Sequence, residues 1–187
     1  MTLKLSKTGF FFLFIFSPLA FGTTEPWSYM VMESVAALSF LFFIIHIIKN
    51  NDPLYNVPGL IPLLLFLIYI LIQMVPLPPD LVKVLSPGAF DIHQTANVLS
   101  GTDGWMSLTV HKKATLTEFL RYSTYFLYYI LTVQLLKERS MLQATAITII
   151  LFGGLLAFSS ILQFYLTDDM ALWFRHSPEN SIVVGPY

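Results

Sequence analysis

The chain has 187 residues, of which 56% are hydrophobic and 11% charged, with a formal net charge of −1. A soluble domain carries roughly 25% charged residues, so an ordinary water-soluble domain is excluded, and near-neutrality leaves no field that would gather nucleic acid. Cysteine is absent and the four histidines show no metal-ligand spacing, so neither disulfides, a metal nor another cofactor is expected.

Lys4 and Lys7 precede an apolar run from Gly9 to Phe21. Two readings stay open. Positive charge, a short apolar run and the small residues Ala20 and Gly22 fit a signal peptide. The same run fits a short first transmembrane helix over 8–22, with Ser17-Pro18 near its outer end. Both readings keep the lysines in the cytoplasm.

A tight turn over 22–26 follows. Thr24 is placed to cap the next helix, Pro26 suits its first turn, and Trp27 suits a membrane interface. The second span is predicted over 26–48, stopping at Lys49-Asn50-Asn51-Asp52-Pro53. It contains Glu33, and Ala36 and Ala37 lie on the Glu33 side, a face suited to close helix packing. His46, next to Lys49, reads as an interfacial histidine. The third span is predicted over 58–75. Pro58 and Pro62 sit in its first turns, where lost amides matter least, and Gln73 lies near its outer end.

Residues 76–114 form the longest polar segment. Pro76, Pro78 and Pro79 stop the preceding span. Asp80 to Leu85 predicts one or two turns of interfacial helix, and Phe90 to Leu99 a second short helix. Gly101 to Gly104 is a turn, and Trp105 to Val110 is extended or irregular. Loops of this length usually carry function. Phe90, Trp105 and Met106 place it on the membrane surface.

The fourth span, 115–136, organises the rest. Thr115 and Glu118 fit a capping box. On a helical wheel, Glu118, Arg121, Tyr122, Tyr125, Tyr128, Tyr129 and Thr132 share one arc, and Leu120, Leu127, Ile130 and Leu131 the other. An ionisable residue at membrane depth faces protein or water, so the first arc should face inward. Lys137 to Ser140 is a short basic turn. A fifth span is predicted over 142–166, with Gly153, Ala157 and Ser160 as a small-residue packing face and Gln163 near its outer end. A polar tail, 167–187, closes the chain.

The fold class expected is therefore an all-α polytopic membrane protein: about five transmembrane helices in a single transmembrane domain over 1–187, with short interfacial helices in the 76–114 loop. Lysine and arginine in the short loops set the N-terminus in the cytoplasm and the C-terminus outside. Glu33 and Arg121 each lie about six residues, roughly 9 Å, inside the outer ends of their helices. They are expected to approach each other in the outer half of the bundle. One reading is interhelical hydrogen bonding that fixes the bundle. The other is a wet cavity in which the Arg121 fork meets an anionic group such as phosphate.

The run Pro18-Leu-Ala-Phe-Gly22, then Glu25-Pro26-Trp27, Gln73-Met-Val-Pro-Leu-Pro78-Pro79, Ala114-Thr115 and Ile161-Leu-Gln163-Phe-Tyr165 resembles the N-terminal part of the O-antigen ligase and polymerase family. The resemblance implies a bacterial inner-membrane glycosyltransferase. Such proteins move glycans carried on undecaprenyl diphosphate at the periplasmic face, without metal or nucleotide sugar. It favours retention of the first span and makes 76–114 a periplasmic loop and 167–187 a periplasmic tail. It also implies that the chain is the first half of such a protein, an incomplete bundle that packs against a C-terminal half. The family's essential arginine and histidine lie beyond this chain, so no catalytic residue is expected and the chain alone should be inactive. Arg121 and Glu33 are the substrate-binding candidates, and lipid-linked glycan and membrane lipids the partners. A small accessory or scaffold membrane protein, or part of a transporter, are the competing functions.

Overall fold

The computed structural model describes residues 1–20, 26–100, 104–166, 170–171 and 175–176. The Thr24 cap, most of the 22–26 and 101–104 turns, the Gln163 side chain and most of the 167–187 tail lie outside the described residues. The chain is all-helical, with seven helices among the described residues: α1 (Thr2–Leu19), α2 (Pro26–Asn50), α3 (Leu60–Ile72), α4 (Pro79–Leu85), α5 (Pro87–Ser100), α6 (Lys112–Leu135) and α7 (Arg139–Leu166). Two short antiparallel pairs join β1 (Pro76–Leu77) to β2 (Met106–Ser107) and β3 (Met170–Ala171) to β4 (Arg175–His176).

Local chemistry explains most boundaries. Pro26 opens α2, where its missing N–H costs nothing. Asn51 ends α2 in the left-handed conformation at φ 52°, a role asparagine fills better than branched residues. Lys49 lies in the last turn, favourably placed against the helix dipole. Gly59, at φ 70°, turns the chain into α3, a conformation that needs glycine. Pro79 and Pro87 open α4 and α5.

One expectation at a helix start is corrected. α6 begins at Lys112, not Thr115, and the cap is His111, whose Nδ1 accepts from the Ala114 N–H at 3.1 Å. The Thr115 hydroxyl bonds the Thr109 hydroxyl at 2.6 Å instead, and Glu118 pairs with Arg121 instead of reaching back. His111 reaches the third amide of the helix first, so the capping box at Thr115 has no orphan donor to serve.

Two helices, over Trp27–Asn50 and Arg139–Leu162, are long and apolar enough to cross a membrane. α3 is apolar but has 13 residues, a length of about 20 Å.

The chain divides into two compact units, residues 1–57 with 127–187 and residues 58–126, so the division falls within α6. In the first unit α1 lies against α2. Its buried residues Ser6, Phe10 and Leu13 share one face, and the α2 face comprises Ser28, Met32, Ala36, Ser39 and Phe43. Ala36 is buried as expected, whereas Ala37 is exposed and belongs to the opposite face. Gly9 brings the helices close: a Cβ there would lie 1.9 Å from Ser39 Oγ and 3.1 Å from Ser39 Cβ. The main core joins Phe10, Phe43, Leu131, Leu135 and Met141, with Tyr128 packed on it. The Phe10 and Tyr128 rings stack at 5.3 Å, and the Tyr128 hydroxyl donates to the Phe10 carbonyl at 3.2 Å.

These contacts correct the predicted α6 wheel. Leu131, assigned to the outer arc, is fully buried, while Tyr122 and Tyr125 of the inner arc are exposed. The buried positions Thr124, Gln134 and Leu135 lie seven, three and four residues from the buried Leu131, and two of the four are polar, so packing and not polarity selects the face. The small-residue face of α7 is likewise open: a Cβ at Gly153 would touch nothing, and Ala157 is exposed.

In the second unit, β1 pairs with β2 and the Thr109 N–H donates to the Gln73 carbonyl at 3.0 Å. These bonds close the base of the loop that holds α4 and α5. Val82 of α4 is fully buried, with Ala89 and Met106 also buried, while Leu81, Val84, Leu85 and Trp105 are exposed. Met106 is therefore not a surface residue of this loop, and Phe90 is half-buried. Met106 is inside, and Lys83 lies 5.7 Å from the Phe90 ring centre.

Candidate functional site

Arg121 lies nine residues beyond Lys112 on α6, about 14 Å into the helix. Its side chain is 29% exposed. Nη1 donates to Glu118 Oε1 at 2.9 Å, one helical turn back. This i,i+3 pairing gives the guanidinium a carboxylate partner on its own helix. The neighbouring Tyr122 ring packs edge-on against Phe66 of α3 at 5.1 Å and against Tyr125 at 6.1 Å. Arg121 is thus next in sequence to a tyrosine that packs on α3, within the second unit. Glu33 is half-buried on α2 in the first unit, adjacent in sequence to the buried Met32.

A second constellation, in the first unit, was not legible as a site. A pocket of about 230 Å³ opens where α1 begins and where α2 and α6 end. Four ionisable side chains line it: Lys7, His46, Asp52 and Glu138. Lys7 Nζ pairs with a Glu138 carboxylate oxygen, and the Ser140 hydroxyl donates to the other at 2.6 Å. The Lys7 hydrogen bond, then the Ser140 bond, then the Lys7 charge hold the Glu138 carboxyl below its usual range. His46 Nε2 lies 3.2 Å from Asp52 Oδ2, and the Asn50 amide nitrogen lies 2.7 Å from His46 Nδ1. His46 thus sits between the Asn50 amide and the Asp52 carboxylate, both supplied by the end of α2 and the turn after it.

One wall of the pocket is the segment between α2 and α3. Gln134 fastens it at two points: Nε2 donates to the Tyr55 carbonyl at 2.8 Å, and the Tyr55 N–H donates to Oε1 at 3.1 Å. Lys137 Nζ sits 4.3 Å from the Tyr55 ring centre, a cation–π contact. Gln134 is buried, so its amide needs these partners. The sequence signal was present but divided: a glutamine in an otherwise apolar stretch, and ionisable residues scattered from position 7 to position 138.

Among the described residues, no three His, Asp or Glu side chains converge as a metal site. Comparison of the chain with protein-family models, with functionally described proteins and with solved structures finds no match.

Proposed function

We propose that the chain is a multi-pass protein of a bacterial inner membrane and the N-terminal part of a glycosyltransferase resembling the O-antigen ligases and polymerases. It would engage glycan carried on undecaprenyl diphosphate at the periplasmic face. α1, α2, α3, α6 and α7 are the five spans in this reading, with the N-terminus cytoplasmic and 76–114 and 167–187 periplasmic. The membrane reading draws support from α7. Ile147, Ile150, Leu151, Leu155 and Phe158 are all exposed, and Met141 and Thr145 are the buried residues among its described side chains. A helix apolar on all sides with so little protein cover belongs in lipid.

The observation that carries the functional reading is Arg121. A guanidinium nine residues into a helix rich in leucine and tyrosine, paired with Glu118, is costly to retain at membrane depth and suited to two phosphate oxygens at once. The Glu118 pair also fits a purely structural arginine, the role expected in an accessory or scaffold protein.

Binding separates the two. The purified chain in lipid nanodiscs should bind undecaprenyl diphosphate more tightly than undecaprenol. Charge-assisted hydrogen bonds contribute about 1.5–3 kcal/mol, so Arg121→Ala should weaken diphosphate binding roughly tenfold to a hundredfold. Arg121→Lys should fall between, and undecaprenol binding should not change. Equal binding of the diphosphate by all three proteins would leave the scaffold reading.

A further inference from the structure

We infer that the pocket lined by Lys7, His46, Asp52 and Glu138 is a binding site for a phosphoethanolamine headgroup, taken from the cytoplasmic leaflet. The inference rests on the membrane reading above but not on Arg121.

Position comes first. Every wall comes from a helix end or an adjoining turn: the start of α1, the end of α2 with the following segment, and the end of α6. The ends of apolar helices lie at the depth of lipid headgroups. The pocket is also graded. Phe43 and Leu135 are buried at its floor, while the side chains of Lys7, His46, Asp52 and Glu138 are 25%, 21%, 50% and 56% exposed. A volume of about 230 Å³ is below that of a drug-sized site and suits a headgroup.

Charge selects the headgroup. The pocket presents the Lys7 ammonium, the His46 imidazole and two carboxylates, Asp52 and Glu138. Two carboxylates repel a purely anionic headgroup. They accept hydrogen bonds from a primary ammonium, which has three donors. A quaternary ammonium has none and forfeits those bonds. On binding, the ligand ammonium takes the place of Lys7 at Glu138, and Lys7 turns to the phosphate. The ammonium then faces Glu138 and Lys7 faces the phosphate, while Asp52 keeps its contact with His46. Tyr55, held by Gln134 and Lys137, closes one side.

The test is competitive lipid retention. The full chain is reconstituted in vesicles of equal phosphatidylethanolamine, phosphatidylcholine and phosphatidylglycerol, and the lipids that stay bound are counted by native mass spectrometry. Phosphatidylethanolamine should be retained about tenfold over either other lipid, the worth of one charge-assisted contact. Asp52→Asn with Glu138→Gln should abolish the preference, and Arg121→Ala should leave it intact, so failure here is distinguishable from failure of the diphosphate reading. Should the double variant not fold, displacement of a fluorescent phosphatidylethanolamine from the unaltered protein serves in its place. Displacement by unlabelled phosphatidylethanolamine alone upholds the membrane source. Displacement by soluble O-phosphoethanolamine at similar concentration upholds the headgroup chemistry but overturns the membrane source. Equal retention of the three lipids, preference for phosphatidylglycerol, or a preference that survives in a folded double variant overturns the inference.

Discussion

The Gln134 side-chain amide and the Tyr55 backbone form a closed two-bond ring, with the Tyr55 carbonyl accepting at 2.8 Å and its N–H donating at 3.1 Å. A side chain here copies the pairing of one strand with another. It ties the segment after α2 to the end of α6, within the core unit that also holds Leu135. Gln134→Ala removes both bonds, each worth about 0.5–1.5 kcal/mol. Hydrogen exchange at the Tyr55 amide should accelerate by roughly tenfold to a hundredfold, with the helix core of α2 unaffected. Gln134→Glu keeps the acceptor and loses the donor, so its exchange should lie between. Unchanged exchange at Tyr55 in Gln134→Ala would show that the segment is held by other contacts.

Gly9 supplies the second prediction. Ser39 Oγ occupies the space a Cβ would need, and Ser39 Cβ lies close behind it. Gly9→Val should therefore force α1 off α2 and open the Phe10 and Leu13 contacts, a loss of about 3 kcal/mol if Phe10 leaves the core. Gly9→Ala combined with Ser39→Ala should recover most of the stability, because the hydroxyl is then gone. Thermal unfolding in detergent measures both. An unaltered Gly9→Val would mean that α1 contributes little to the packed state.

The third prediction concerns acid. Lys7 and then Ser140 depress the folded-state pKa of Glu138. A carboxyl lowered in the folded state contributes stability above its unfolded pKa and loses it as pH falls through the lower folded value. The difference in melting temperature between the unaltered chain and Glu138→Gln should thus be constant from neutral pH down to the ordinary carboxylate range. Below that it should shrink towards zero. Glu138 is exposed, so salt should reduce the difference as well. A difference that grows on acidification would contradict the ion pair.

Element positions were legible because apolar runs here are bounded by proline, glycine and charge. Pro26, Asn51, Pro79 and Pro87 mark helix ends in sequence and in structure alike. The two short helices of the 76–114 loop were legible for the same reason. Facing was less so. Leu131 and Tyr122 differ little in a membrane chain, where leucine suits lipid and core equally; only the presence of Phe10 and Phe43 opposite decides that Leu131 is inside. The cap at His111 was hidden because histidine is not a favoured N-cap. Gly9, three residues after the buried Ser6, is a small residue in a run that fits an export signal equally well, so its packing role does not stand out in the sequence. The pocket was illegible because its polar residues meet only when the helix ends are brought together. His46 alone looks interfacial, and its relation to Asn50 and Asp52 needs the turn at Asn51.

The central claim is that the chain crosses the membrane several times with its N-terminus inside, and α3 tests it most severely. Its 13 helical residues give about 20 Å, against a hydrocarbon layer of roughly 30 Å, so crossing requires the flanking turns, local thinning of the bilayer, or both. Leu54 precedes α3 and Gln94 follows it, both are exposed, and the chain has no cysteine of its own. Single variants Leu54→Cys and Gln94→Cys, treated in intact spheroplasts with a membrane-impermeant maleimide, report directly on this span. The account predicts that Gln94→Cys labels in intact spheroplasts and Leu54→Cys only after permeabilisation. Labelling of both from the same side would contradict it, since α3 would then enter the membrane without crossing and the five-span arrangement would fail.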